Sequence, residues 1–397
     1  KVHSGSQLHY LDNAATSQMP LSVIEAIQSF DQCSRSNIKR GVHYLAEEAT
    51  ESYQNARKTI SNYVNASSER EIIFTSGTTA SINLLANSLA SKFSENDEII
   101  LSILEHHSNI VPWQIIRERT GIIIKTLPAT IDGLVDVSKL NEIISPKSKL
   151  ISVTHASNVT GGITNLKEIV NIAKQYDTLV AVDGAQSAPH GPFDVQSLDV
   201  DFYSFSGHKM YGPTGIGILW GRGDLLETLP PFLGGGEMIK NVSFENTTYA
   251  DYPARFEAGT PPITQAVGLA RAVQWITEND YISGQNHLNQ LTSTLIEGLE
   301  ALDSKQKKIY IIGPDKSKYR MPVVSFSITN THPHDICQIL DSHGVALRGG
   351  HHCAQPYMDS LKVNGTTRAS LALYNNSDDI NALLNGLEDA LARLSYD

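Results

Sequence analysis

The sequence predicts an α/β fold: a large domain on a mostly parallel seven-stranded sheet, joined to a smaller α+β domain. Three observations predict it. Between residues 72 and 221, short β-branched runs alternate with helical patterns, which is the rhythm of βαβ units packed into a parallel sheet. The chain has 397 residues, more than one small core requires. Carboxylates, hydroxyls and glycines gather directly after the apolar runs, at the strand ends where sheets of this kind bind ligands.

Element by element, the candidate strands are residues 71–75, 98–103, 121–126, 150–154, 179–183, 202–206 and 215–220. Helical patterns lie between them at 80–92, 110–119 and 166–176. Gly234, Gly235 and Gly236, followed by a stretch rich in Ser, Asn and Thr, read as a long loop. A helical pattern from Thr264 to about Asn279 reads as a bridge between the domains. A strand at 323–328, a helix at 333–343 and a last helix from Ser377 onward complete the smaller domain. The large domain therefore spans 17–276, and the small one combines 1–16 with 277–397.

Composition narrows the function. Hydrophobic residues at 41% and charged residues at 18% describe a chain able to bury a sizeable core. A net charge of −11 argues against binding nucleic acid or anionic membrane, because phosphates repel such a surface. Three widely spaced cysteines, Cys33, Cys337 and Cys353, fit neither a disulfide framework nor a zinc cluster. They point to a reducing compartment, and the cytoplasm is the expected location. The first ten residues lack an apolar signal-peptide core, and no apolar run reaches the roughly 18 residues of a membrane span.

The strongest local motif is Ser204-Phe205-Ser206-Gly207-His208-Lys209. An aromatic strand ending in small polar residues and then a lysine can desolvate the amine, as a Schiff-base lysine requires. A lone Lys is more often solvated. Upstream, the run ending in Asp183-Gly184-Ala185-Gln186 puts a carboxylate at a neighbouring strand end. Such an Asp is commonly a turn former; beside a pyridine nitrogen it would keep that ring protonated and electron-withdrawing. Ser76-Gly77-Thr78-Thr79 opens a helix, where free N–H groups suit a phosphate, although a plain N-cap is the commoner use. Glu105-His106-His107 places imidazoles after another strand, either stacking on a planar group or simply polar loop residues.

With these residues in view, the chain resembles a cysteine desulfurase of the SufS type (the second group). That type lies within the class V aminotransferase, fold-type I pyridoxal-phosphate family. The likeness runs over Tyr10 to Thr16, Arg40-Gly41-Val42-His43, Ser76 to Thr79, Glu105 to Trp113, Ser157-Asn158, Asp183 to Gln186 and Ser204 to Gly217. It continues through Phe256 to Pro261, Gly350-His351-His352-Cys353 and Arg368-Ala369-Ser370. The resemblance implies pyridoxal 5'-phosphate on Lys209, which would also shuttle protons. Asp183 would pair with the pyridine nitrogen, Asn158 and Gln186 with the phenolic oxygen, and His106 would stack on the ring. Thr78, Thr79, Ser206 and His208 would hold the phosphate, with Thr260 arriving from the second subunit of a homodimer. Arg368, with Arg348 and Asn158, would bind the carboxylate of L-cysteine, geometry that suits Arg better than Lys.

Cys353 separates this reading from a plain aminotransferase. Its thiolate would take the substrate sulfur as a persulfide and release alanine, with His351, His352 and Arg348 lowering its pKa. Cys33 and Cys337 are assigned as small buried hydrophobes. The sulfur would pass toward iron–sulfur cluster assembly. The segment His332-Pro333-His334-Asp335 is fully explained as a helix start. The same segment in relatives with a zinc-bearing SufU-type acceptor makes His334 a transient zinc ligand with that partner; a SufE-type acceptor is the alternative. No resident metal is expected. The chain departs from the family at Lys39 (often His), at Ala80 (often acidic) and at Gly349, where relatives vary. A selenocysteine lyase, an aminotransferase or epimerase of the same fold, and a non-catalytic scaffold are the competing readings.

Overall fold

The computed structural model describes residues 5, 7–306, 308–315 and 319–393; the remaining tips of the expected small domain lie outside the described residues. Its centre is a seven-stranded sheet in the order Ile72–Thr75, Gly217–Gly221, Phe202–Ser206, Leu179–Asp183, Ser148–Thr154, Glu98–Ser102 and Ile123–Leu127. Only Gly217–Gly221 runs antiparallel to its neighbours, so the predicted α/β class is borne out.

Period-two alternation explains why the sheet is covered on both faces. Val180 and Val182 join one apolar cluster with Tyr203, Phe205, Ile218 and Trp220. The intervening Ala181 joins the opposite cluster with Phe202 and Leu219. Helix Ile263–Glu278 packs on helices Leu21–Cys33 and Tyr44–Val64 and stays within the first of these clusters. Its apolar stripe, Ala266, Leu269 and Val273, has its complement on the large-sheet side. The next helix, Tyr281–Gln306, buries Leu288, Leu295 and Leu299 in a separate cluster.

That cluster backs an antiparallel sheet ordered Ile309–Ile312, Val323–Ile328, Thr366–Ser370 and Arg348–Gly350. Strand His9–Tyr10 returns to pair with Val345–Ala346. A seam stitches the two sheets together. Gly162 and Arg320 form a β-bridge, Met321 N donates to Gly161 O at 2.8 Å, and Ser325 Oγ donates to Val159 O at 2.6 Å.

The stretch after Gly236 is not a plain loop. It folds into an exposed hairpin, Ile239–Val242 with Thr247–Tyr249. With neither face buried, its strands need no apolar alternation, so only their backbone ladder defines them. Cys33 is also exposed rather than buried. The buried stripe of its helix carries Val23 and Phe30, and Cys33 falls off that stripe at the helix end. Among the described residues, no helix is long and apolar enough to cross a membrane.

Candidate active site

One cavity of about 330 Å³ opens where the large sheet's carboxyl edge meets the antiparallel sheet. Its floor is made by strand ends. Leu179–Asp183 delivers Asp183, and Phe202–Ser206 runs into a short turn, Gly207–Lys209, that delivers Lys209. Gly184 has a steric reason to lack a side chain: a Cβ there would sit 1.9 Å from Tyr203 Cε1. Burial lowers the Lys209 amine to about 8, while the charge of Asp183 opposes the shift. Burial also raises Asp183, with the Ala185 N–H and Lys209 pulling it back down.

At one end of the floor, helix Thr78–Ala90 points its N-terminus at the cavity. Thr78 N and Oγ1 meet Ser206 Oγ at 2.8 and 2.7 Å, and Thr79 and His208 line the same end. Hydroxyls and unpaired helical N–H groups with a positive dipole end suit a phosphate. One wall is His106, whose Nδ1 accepts from Ser108 N at 3.1 Å. Burial, and then Lys209, lower it to about 4, so the ring is neutral at pH 7. Gln186 lines the cavity while its Nε2 donates to Ala14 O at 2.9 Å.

The opposite wall comes from the antiparallel sheet. Arg368, on strand Thr366–Ser370, donates from Nη1 to Asn158 O at 2.9 Å, and Asn158 Nδ2 donates to His352 O at 2.6 Å. Arg368 Nε is buried and has no partner, a donor left for a ligand carboxylate. Cys353 is exposed at the rim, and its charge acts on Lys209, Arg348 and Arg368 alike. Both His352 and Cys353 hold left-handed backbone, with φ of 53° and 56°, a strained state for residues with side chains. Cys353 O accepts from His107 N at 2.8 Å, which helps hold it there.

The cavity thus gathers Lys209, Asp183, His106, Asn158, Gln186, Thr78, Thr79, Ser206, His208, Arg348, Arg368 and Cys353. Two expected residues lie elsewhere. Thr260 is exposed and off the cavity, three residues beyond Glu257, whose carboxylate is buried against Arg57 at 2.8 Å. His334 is exposed on helix Pro333–Ser342, behind the strand leading to Cys353; His332 Nδ1 caps that helix by accepting from His334 N. Among the described residues, no group of three or more His, Cys, Asp or Glu is disposed to hold a metal.

Two of the three groups expected to activate Cys353 are otherwise engaged. Burial lowers His352 to about 3, so it is uncharged, and its Nε2 is held by Thr366. Arg348 spends its fork on Asp12, at 2.9 to 3.1 Å. Asp12 is therefore a site residue to which the sequence reading gave no role. Glu105 is another. It is fully buried, accepts from Asn109 Nδ2 at 2.7 Å and Thr154 N at 2.9 Å, and is pushed up to about 8 by burial. It ties the His106 turn to the central sheet.

These residues fit pyridoxal 5'-phosphate. A buried amine, a carboxylate at the far strand end, a flat neutral ring and a hydroxyl-lined helix N-terminus match its aldehyde, ring nitrogen, ring face and phosphate. The comparisons agree. Residues 9–383 match the family model described as aminotransferase class-V. A Streptomyces coelicolor protein named probable cysteine desulfurase is 45% identical over 98% of this chain and 93% of its own length. The solved cysteine desulfurase CsdA of Escherichia coli superposes with a TM-score of 0.88 at 40% identity, covering 97% of this chain and 94% of the other. A C-DES mutant with glycine covalently linked to its pyridoxal-phosphate cofactor has a TM-score of 0.83 at 25% identity, covering 96% of each chain.

Proposed function

The chain belongs to the class-V aminotransferase family, and we propose that within it the protein is a pyridoxal-phosphate-dependent cysteine desulfurase of the SufS type. The observation that carries this reading is the meeting of Lys209, Asp183, Arg368 and Cys353 around one cavity. When bound, the cofactor supplies an electron sink that lets the α-hydrogen of an amino acid leave as a proton.

The chain's own groups do the rest. Arg368 holds the carboxylate of L-cysteine, using the Nε that has no other partner. Lys209 Nζ, whose pKa of about 8 leaves part of it neutral near pH 7, takes the α-proton. Asp183 would hold the charge at the ring nitrogen, and Thr78, Thr79, Ser206 and His208 would anchor the phosphate. Asn158 and Gln186 would serve the ring oxygen, and His106 would cover the ring face. The Cys353 thiolate attacks the substrate sulfur: the Cβ–S bond breaks, an S–S bond forms, and a proton goes to Cβ. Carbon is reduced as sulfur is oxidised, so no outside electron donor is needed to make alanine and the persulfide.

Thr260 completes the phosphate cup of a second subunit in a homodimer, which explains a polar residue held at the surface by a buried Arg57–Glu257 pair. The persulfide passes to a SufU-type acceptor in the cytoplasm, supplying iron–sulfur assembly, and exposed His334 stands close to the strand before Cys353. Mass spectrometry of Cys353 after exposure to L-cysteine without reductant tests the core of the proposal. A gain of one sulfur that disappears in Lys209→Ala is expected; an unmodified thiol in an otherwise active enzyme overturns it.

A further inference from the structure

The turn Glu105-His106-His107 sends three consecutive side chains to three different places. Glu105 goes into the sheet, where it accepts from Thr154 N at 2.9 Å and Asn109 Nδ2 at 2.7 Å. His106 lines the cavity. His107, half-buried and off the cavity lining, reaches across to the chain around Cys353. Its Nε2 accepts from Gln355 N at 3.1 Å, and its own N–H donates to Cys353 O at 2.8 Å. One residue from the large-sheet side thus holds the chain on both sides of Ala354.

Each bond supplies something the segment lacks. Helix Gln355–Leu361 starts from Ala354, which offers no side-chain cap, and a helix start leaves its first N–H groups without partners. The His107 ring takes the one from Gln355. Just before it, His352 and Cys353 stand in left-handed backbone, a state that persists only where the surroundings over-determine it. His352 is tied by Asn158 and Thr366, and Ala354, Tyr357 and Met358 are buried in the large-sheet cluster. Cys353 lies between these two footings, and the His107 bonds span the gap. A ring nitrogen accepts only when it carries no proton. Burial, and then the charge of His351, hold His107 below the ordinary histidine range. His106, the ring 6.2 Å away, is itself uncharged near pH 7. We propose that His107 is a positioning residue for sulfur transfer: by capping Gln355 it keeps the Cys353 turn in the pose that lines the cavity, while removal of the α-proton proceeds without it. The proposal rests on the desulfurase reading above and adds what holds the thiol in place.

Two variants of the holoenzyme test it. His107→Ala removes the acceptor, and His107→Gln offers Oε1 in the place of Nε2. Loading of Cys353 with sulfur from L-cysteine, timed by mass spectrometry, should slow about tenfold in His107→Ala, as small misplacements at reacting centres do. It should return to within about threefold of the unaltered protein in His107→Gln, because the hydrogen bond is remade. Exchange of the α-hydrogen of L-alanine in heavy water uses Lys209 and Arg368 but no thiol, and should stay within about threefold in both variants. Amide hydrogen exchange at Gln355 should quicken about fivefold in His107→Ala, the scale of one lost hydrogen bond, and stay slow in His107→Gln. Parallel slowing of loading and α-exchange, unchanged loading, loading that Gln does not restore, or an unchanged Gln355 amide would each overturn the proposal. Should His107→Ala fail to fold, His107→Leu keeps the bulk without the acceptor and has to show the same pattern. An unaltered protein that exchanges the α-hydrogen yet never loads Cys353 fails the desulfurase reading alone, and the Gln355 amide then still decides whether His107 caps the helix.

Discussion

Lys209 and Cys353 face the same cavity, yet the chain holds them in different ways. Lys209 ends a buried strand, and its turn is braced by Gly207 N to Ile216 O and by Ser17 N to His208 O, both at 2.9 Å. Cys353 rides an exposed turn in which it and His352 both adopt left-handed backbone, at a cost of order 1–2 kcal/mol per residue. The difference suits the roles proposed for them. A group whose charge must be tuned benefits from a rigid, dry floor, whereas a group proposed to collect an atom and hand it on gains from staying within reach of solvent.

The sharpest way to break this contrast is Lys209→Ala. It should lower alanine production about 10³-fold or more, the range of a lost catalytic base, with no other floor residue able to substitute. Asn158 joins floor and rim, because it ties both His352 and Arg368. Asn158→Ala should cost about a hundredfold in kcat/KM, as small misplacements at reacting centres do, and should reduce sulfur loading of Cys353 in parallel. A smaller, graded effect concerns the floor alone. Because burial lowers Lys209 to about 8, cofactor capture by the apoprotein should rise as pH climbs through that value and then level off. Asp183→Asn removes the charge that raises the lysine, so the curve should shift to lower pH; absorbance growth checks both. Cys33→Ser, exposed and remote from the cavity, should change stability by less than about 0.5 kcal/mol and leave turnover intact.

The sheet was legible in the sequence because its strands are bounded runs of β-branched or aromatic residues; Leu179–Asp183 and Phe202–Ser206 match their predicted ends. Helix Tyr44–Val64 was not. It buries Ala46, Ala49, Tyr53 and Ala56, and small side chains give a weak apolar period. Most of the site was readable from motifs that place chemistry at strand ends. Asp12 and Glu105 were not, because a carboxylate in a sequence says nothing about which cation or amide it will meet. Arg348 lies far along the chain from Asp12, and Thr154 N reaches Glu105 only through the fold.

The stitches between Gly161, Gly162 and the 320–321 segment, together with Ser325 Oγ to Val159 O, sit directly behind Asn158. Parting the two sheets would strip buried carbonyls of their donors in the very loop that grips Arg368. Opening the molecule like a hinge is therefore a costly route for moving sulfur outward. Under the proposed function, delivery becomes a matter of reach, because Cys353 stands exposed at the rim on the turn at 352–353.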